Sequence, residues 1–576
     1  MVEVIMPKAG VDMQEGTIVS WFKKEGDAVT TGEPILEIVT DKVNMEVEAE
    51  GDGILAVITH DTEGEVLPVF TVIGAIAEKG EDLAKIKEQV LAQTGATSSA
   101  PVEEAVKVEE TKTEAPAVDA GKYDYDVVIV GGGPAGYVAG IKAAMLGGKV
   151  AVVEADKFGG TCLNRGCIPT KTYMENVEIT EAAKEFAKRG IAIKVEGQEP
   201  KKAVKYKNRV TKKLVAGVEG LLKAQGAKLF KTKATVKGAN EVVLENGEVL
   251  STANVIIATG SKVAMSDMKG AESDLVLTST EALDLEEIPK TIAVVGSDFI
   301  AIEFAEIFNS RGSKVTIVSP DDEILAGVDA EVVRTLKGIL TKKGIEILTK
   351  KEAEAFVEAE GKVVVKLADG EEVKADKALL ALGREANLAG IENSGVKIDN
   401  GFVSVNDKME TSVSGIYAVG DVTGKDMTAH AAFAMGEVAA QNAMGKEVKF
   451  KGEASPKCLY TVPQVASVGL TEEEAKKSHN VKVGKFRLAA NGKALAQSAT
   501  NGFVKVVADE KYGEILGIHI IGTGATELVN EAAILKALEV PADEAADMIF
   551  AHPTVSEVLK EALADVNNES IHTPKK

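Results

Sequence analysis

The sequence predicts a multidomain protein: an N-terminal all-β sandwich, then an α/β part with two dinucleotide-binding units, then an α+β C-terminal domain. Three observations predict this. Short strand-like runs punctuated by glycine fill roughly the first 80 of the 576 residues. A strand, glycine loop, helix and second strand follow one another twice, the first loop opening at Gly131 and the second at Gly296. From about Pro456, strands alternate with helices. The length alone suggests about four domains.

The N-terminal module reads as short strands, with runs 35–39 and 45–49 joined by a tight connection. Glycines 16, 26, 32, 51, 53 and 64 separate the others, as in a small sandwich or flattened barrel. The connection Thr40-Asp41-Lys42-Val43-Asn44 projects Lys42 from a hairpin tip. A lysine in such a place is most often a plain surface residue. Residues 93–121 are rich in Ala, Thr, Glu, Val and Pro, a composition that buries too little surface to fold alone. The expected boundaries are 1–80 for the module, 81–122 for a flexible linker, 123–268 and 269–392 for the two dinucleotide units, 393–455 for a central region and 456–576 for the C-terminal domain.

In the first unit, the run 125–130 is continuously apolar after its first residues, as in a buried parallel strand. Gly131-Gly132-Gly133-Pro134-Ala135-Gly136 follows, then a helical stretch and a second strand ending at Glu154. Gly131 permits the turn, Gly133 lets backbone approach a pyrophosphate, and Gly136 lets helix and strand pack. The helix start then faces the phosphates. Glu154 stands where the ribose hydroxyls are expected. The second unit departs from this pattern. Gly296 keeps the turn, but Asp298 replaces the second glycine and Ala301 the third. The aspartate puts negative charge near a bound pyrophosphate, which should weaken binding. Ser319 holds the position of Glu154, so the carboxylate that selects an unphosphorylated ribose is expected to be lost. No arginine follows for a 2′-phosphate, and the choice between NAD and NADP stays open. A degenerate copy that no longer binds nucleotide is the alternative.

Of three cysteines, two lie in Gly159-Gly160-Thr161-Cys162-Leu163-Asn164-Arg165-Gly166-Cys167-Ile168-Pro169-Thr170-Lys171. Their spacing allows a small ring to close and open, and Arg165 and Lys171 favour a thiolate. A dithiol close to a nucleotide loop is a two-electron relay. Cys458 reads as an inert small apolar residue. His552 suits thiol proton transfer near neutral pH, and Glu557, five residues on, could orient it.

Composition bounds the rest. The net charge is −23, from 66 Lys and Arg against 89 Asp and Glu. That disfavours nucleic acid as a partner, because phosphate contacts need clustered cations. No apolar run reaches the ~20 residues that span a bilayer. The N-terminus has no basic region followed by an apolar stretch, so no leader is expected. Three cysteines make no disulfide framework, and a reducing, cytoplasmic setting is expected. No metal site is expected.

The run from Gly159 to Lys171 resembles the active site of the dithiol flavoprotein disulfide reductases, most closely the dihydrolipoamide dehydrogenases. So do Ala258-Thr259-Gly260, Gly383-Arg384, Tyr417-Ala418-Val419-Gly420-Asp421 and Ala551-His552-Pro553-Thr554-Val555-Ser556-Glu557. The resemblance implies that Gly131, Gly133, Gly136 and Glu154 hold the adenosine half of FAD. Gly160, Thr161 and Gly260 would also bind cofactor, and Asp421 would bond the ribityl chain. Cys167 would face the flavin as a thiolate, and Cys162 would exchange with substrate. Lys171 would lie by the flavin, paired with Glu303. Gly296, Ser319 and Gly383 would fall at the NAD(P) site. His552, oriented by Glu557, would serve the thiols from the partner subunit of a homodimer. The segment 37–43 resembles a lipoyl domain, with Lys42 as the modified lysine. In biotinyl domains methionines flank that lysine, and Asp41 and Val43 differ.

The implied activity is reoxidation of protein-bound dihydrolipoyl groups through the Cys162–Cys167 disulfide and FAD, with NAD(P) as acceptor. The implied partners are lipoyl-bearing acyltransferase or carrier subunits of a 2-oxo acid, acetoin or glycine-cleavage type complex. Rivals in the same class are poorly matched. Glutathione reduction expects arginines near Ser319, and mercuric reduction expects paired cysteines near the C-terminus; neither is present. A reading of a different class is a scaffold that docks lipoyl partners without turnover.

Overall fold

The computed structural model describes every residue except 8–14, 40–43, 50, 61–65, 70, 78–80, 82, 84, 88–89, 91–121, 187–188 and 575–576. Contacts divide the chain into two units, Met1–Lys112 and Thr113–Lys576.

The first unit is a sandwich of two four-stranded antiparallel sheets. One runs Val2–Ile5, Val72–Ala77, Gly53–Ile58, Ala28–Val29, and the other Asn44–Glu48, Pro34–Val39, Glu15–Trp21, Val66–Pro68. Ile18, Ile35, Leu36, Ile38, Leu55, Ile73 and Ile76 fill the space between them. A Cβ at Gly53 would lie 2.0 Å from the Ala77 carbonyl oxygen, so only glycine lets these strands approach. The pair Val39–Asn44 closes the expected hairpin. Lys42 itself lies outside the described residues. The module ends later than composition suggested. Residues 83, 85–87 and 90 are helical, and Ile86 and Val90 are buried against Val57 and Ala75. The packed body therefore reaches Val90, inside the stretch 81–122 expected to be linker.

The second unit opens with a largely parallel sheet. Its strands run Lys228–Lys231, Val150–Glu154, Tyr125–Val130 and Val249–Ile257, and Ile416–Ala418 pairs with the last of these. Val127 to Ile129 are fully buried, which is why this run lacks the alternation of a half-exposed strand. The helix Pro134–Met145 begins with proline in its first turn, where a missing N–H costs nothing. It packs on helix Ala429–Ala443 through small residues; a Cβ at Gly436 would lie 2.4 Å from the Ala135 carbonyl oxygen. The region 393–455 thus completes the first dinucleotide domain with a strand and a helix.

The second dinucleotide domain has five parallel strands in the order Val276–Leu277, Lys377–Leu380, Thr291–Val295, Lys314–Val318, Glu346–Leu348. The C-terminal domain is a five-stranded antiparallel sheet, Lys457–Leu459, Gln464–Gly469, Ile515–Gly522, Phe503–Asp509, Val481–Arg487. Helices Ala525–Ala537 and Glu557–Asp565 share its apolar core through Leu528, Val529, Val558 and Leu559. Lys505, 5% exposed, fastens this sheet to the second dinucleotide domain. Its Nζ lies 2.8 Å from the 3%-exposed Asp329 and 2.6 Å from Glu472. Removing one member of a buried pair leaves an uncompensated charge, so Lys505→Ala is expected to cost about 3–5 kcal/mol. A denaturant titration of both proteins measures the loss.

Candidate active site

The first glycine loop is built for a phosphate. Gly131 has φ +111°, and a Cβ there would lie 2.1 Å from the Ala258 carbonyl oxygen. A Cβ at Gly136 would lie 1.8 Å from the Gly131 oxygen. These two glycines answer to packing. Gly133 does not: its nearest obstacle would be the Cα of Gly160 at 3.7 Å, an ordinary contact. Gly133 precedes helix Pro134–Met145 without any side-chain cap, so the first amides of that helix are offered to a ligand. Glu154 marks the strand end. Its Oε2 accepts from the Gly132 amide at 2.7 Å and its Oε1 from the Asp156 amide at 2.8 Å.

The same turn carries the dithiol. Helix Gly160–Arg165 holds Cys162, the helix ends at Gly166, and helix Cys167–Phe186 starts on the residue of the second sulfur. Both cysteines are free thiols, and a hydrogen bond between the two side chains couples their titration. That bond is the main cause of opposite shifts. It brings the Cys167 thiol down to about 7, against burial and with help from the Lys171 charge. The same bond, joined by burial, pushes Cys162 far above the usual thiol range. The start of a 20-residue helix further suits Cys167 to negative charge. Tyr137 lies close enough for burial and the two sulfurs to push its phenol up to about 12. Cys458 is raised to about 11 by burial, in keeping with an inert thiol.

Two charge networks flank the pair. Lys171 Nζ sits 3.0 and 2.9 Å from the Glu303 carboxylate oxygens, and 4.5 Å above the Tyr460 ring. Glu303, 5% exposed, also accepts from the Tyr460 amide at 3.0 Å. On the other side, Arg384 reaches Ser261 Oγ at 2.7 Å and Thr161 Oγ1 at 3.2 Å, and Ser261 donates to Asp421. Burial raises the Asp421 carboxyl, while Ser261 and Arg384 oppose that rise. Gly260 (φ +69°) and Gly383 (φ +89°) supply the left-handed backbone ahead of Ser261 and Arg384. Sequence reading singled out neither Ser261 nor Tyr460. Uncapped amides, an acid at the strand end and a buried polar cluster beside the sulfurs fit FAD.

His552 and Glu557 form a separate cluster. His552 Nδ1 is 2.8 Å from Glu557 Oε1, and Glu557 Oε2 accepts from the Thr554 amide at 2.9 Å. Burial works to raise Glu557, but the Thr554 amide and the His552 ring hold it below the usual carboxylate range. His552 is 78% exposed, and no hydrogen bond or ion pair among the described residues joins it to either cysteine within one chain.

The second glycine loop differs in kind. Gly296 (φ +134°) repeats Gly131, since a Cβ would lie 1.9 Å from the Ala381 carbonyl oxygen. Asp298, however, caps helix Phe299–Ser310: its Oδ1 accepts from the Ala301 amide at 2.9 Å. The carboxylate thus occupies a donor that a pyrophosphate would use, besides repelling it. Ser319 is fully buried. The expectation that no carboxylate reaches this place needs correction, because Asp321 folds back so that its Oδ2 accepts from Ser297 Oγ at 2.7 Å and Ser319 Oγ at 3.1 Å.

Residues 125–436 match the family described as pyridine nucleotide-disulphide oxidoreductase. The chain belongs to this family. Residues 455–563 match its dimerisation domain, and residues 2–76 match the biotin-requiring enzyme family. A dihydrolipoyl dehydrogenase of Bacillus subtilis (strain 168) is 39% identical over 470 residues, 78% of this chain and 99% of the relative. One from Thermus scotoductus is 40% identical over 459 residues, 78% of this chain and 98% of the relative. The LpdA structure from Mycobacterium tuberculosis shares the fold with TM-score 0.72 and 24% identity, over 76% of this chain and 98% of that one.

Two outcomes follow from the site. Iodoacetamide alkylation of the reduced pair should rise with pH through about 7, as Cys167 loses its proton, and fall away below it; a stopped-flow pH series reads the midpoint. Asp298→Gly frees the Ala301 amide and removes a charge, and should tighten NAD binding by about 10-fold. Calorimetric titration of both proteins decides it, and no gain would show that the carboxylate does not contest the phosphate seat.

Proposed function

We propose that this chain is a dihydrolipoyl dehydrogenase that reoxidises protein-bound dihydrolipoyl groups. One observation carries the reading: the turn that holds Cys162 and Cys167 interlocks with an uncapped glycine loop, and Cys167 opens a 20-residue helix beside the Lys171 charge. That is the arrangement a reduced enzyme needs, one sulfur stabilised as thiolate and the other ready to exchange.

In the oxidised enzyme, a dihydrolipoyl thiolate attacks Cys162 Sγ. The Cys162–Cys167 bond breaks and Cys167 leaves as thiolate, which the Lys171 charge and the helix start stabilise. The second lipoyl sulfur then displaces Cys162 and closes the lipoyl disulfide, leaving two reduced cysteines. His552 of the partner subunit takes the thiol protons, with Glu557 fixing its ring through Nδ1. Exposure of His552 and of Ile549 three residues earlier supports a homodimer that covers them. Bound FAD supplies two-electron transfer from the dithiol to NAD. Gly131, Gly133, Gly136, Glu154, Gly160, Thr161, Gly260 and Asp421 would hold it. Glu303 keeps Lys171 oriented toward Cys167.

Lys42 is proposed as a lipoyl attachment site, and acyltransferase or carrier subunits of a 2-oxo acid, acetoin or glycine-cleavage type complex as partners. Carrier and reductase on one chain raise the effective concentration to the order of millimolar. The paucity of cysteine supports a cytoplasmic setting.

Separate serine variants test the sulfur roles. Cys167→Ser should abolish the long-wavelength thiolate–flavin absorbance, and Cys162→Ser, which has no disulfide to reduce, should show it without added reductant; the reverse pattern would overturn the assignment. His552→Gln should slow dihydrolipoamide oxidation by about 10²–10⁴-fold in steady-state assay.

A further inference from the structure

The two dinucleotide units use their strand ends differently. In the first, Glu154 does two jobs with two oxygens: Oε2 takes the Gly132 amide of the glycine loop, and Oε1 takes the amide two residues on, Asp156. In the second, those jobs are divided. Ser319 Oγ accepts the amide two residues on, Asp321, at 3.1 Å. The loop side is held by Asp321, whose carboxylate accepts from Ser297, the counterpart of Gly132. The turn is therefore the same in both units, and the backbone supplies the reach that the longer side chain of Glu154 supplies in the first.

We propose that Asp321 is the carboxylate that reads the adenine-side ribose of a nicotinamide dinucleotide in the second unit, with Ser297 and Ser319 as the residues that position it. The inference rests on the reading that this unit binds NAD. Both serine bonds fall on Oδ2, which directs Oδ1 away from them, and the residue is exposed at the strand end where a ligand can meet it. Asp156, its counterpart in the first unit, is instead paired with Arg165 at 2.9 Å. A carboxylate accepts from a ribose diol and repels a 2′-phosphate. The nearby cations do not offset that repulsion: Lys350 is paired with Asp322, and Lys351 with Asp369 and Glu371. The unit therefore selects NAD over NADP although its strand ends in serine.

The test is calorimetric titration of the flavin-loaded dimer with NAD and, separately, NADP, for the unaltered protein, Asp321→Ala and Ser297→Ala. The unaltered protein should bind NAD and discriminate against NADP. Asp321→Ala should weaken NAD by about 10- to 100-fold, the value of hydrogen bonds to a charged group, and should narrow the NAD/NADP ratio. Ser297→Ala should narrow the ratio less, since Ser319 still holds the carboxylate. An unchanged ratio in Asp321→Ala, with flavin absorbance and thermal midpoint preserved, would overturn the assignment while leaving NAD binding intact. If the unaltered protein binds neither nucleotide, the functional reading of this unit fails with it.

Discussion

The electrostatic coupling of Cys162 and Cys167 organises the centre of this molecule. It holds one sulfur neutral and lets the other carry charge, which neither would do alone in a half-buried site where desolvation raises both. Its geometry comes from the backbone. Gly159 and Gly160 are left-handed, and a Cβ at Gly160 would lie 2.6 Å from the Cα of Gly133. The phosphate loop and the dithiol turn therefore interlock. The helix break at Gly166 then places Cys167 at the start of a new helix, where amides and not carbonyls point outward. The glycine loop and the cysteine pair are therefore packed as one piece.

Around that piece the fold recruits distant segments. Glu303 comes from the second dinucleotide domain and reaches Lys171 of the first; the amide of Tyr460, near the start of the C-terminal sheet, bonds the same carboxylate. Three domains thus meet on one buried charge. A carboxylate so placed is stable because lysine and amide both satisfy it. The same contact ties the electrostatics of Cys167 to the docking of the domains, since Lys171 lowers the thiol only while it is held near it.

Much of this was legible from residues alone. The strand 125–130 shows itself by the apolar run from Val127, and the glycine loop by Gly131 and Gly136, whose missing side chains the packing requires. The sulfur pair announces itself by spacing. Contacts between remote segments carry no local signal: Lys171 and Glu303 were paired only by family resemblance, and Ser261 and Tyr460 not at all. The helical residues 83, 85–87 and 90 did leave a trace, since Ile86 and Val90 stand four apart as one face of a helix requires. The polar residues around them hid it. Asp321 escaped for another reason. Motif reading counts a fixed offset from the strand end, and here a serine stands at that offset while the backbone carries the acid two residues further.

The asymmetry between the two loops has a physical logic. An empty helix start leaves amides unsatisfied, which penalises the unliganded state and strengthens any ligand that supplies oxygens. The first unit keeps that penalty, with Gly133 uncapped, and so suits a cofactor that stays. The second unit removes part of it, because Asp298 satisfies the Ala301 amide when no nucleotide is present. A ligand arriving there gains less, and one departing leaves behind a stable loop. The two loops thus differ, on the same βαβ frame, by one side chain at the helix start. The affinity given up at the phosphate seat must then come from elsewhere on the nucleotide, and the carboxylate held by Ser297 and Ser319 is the group proposed to supply it.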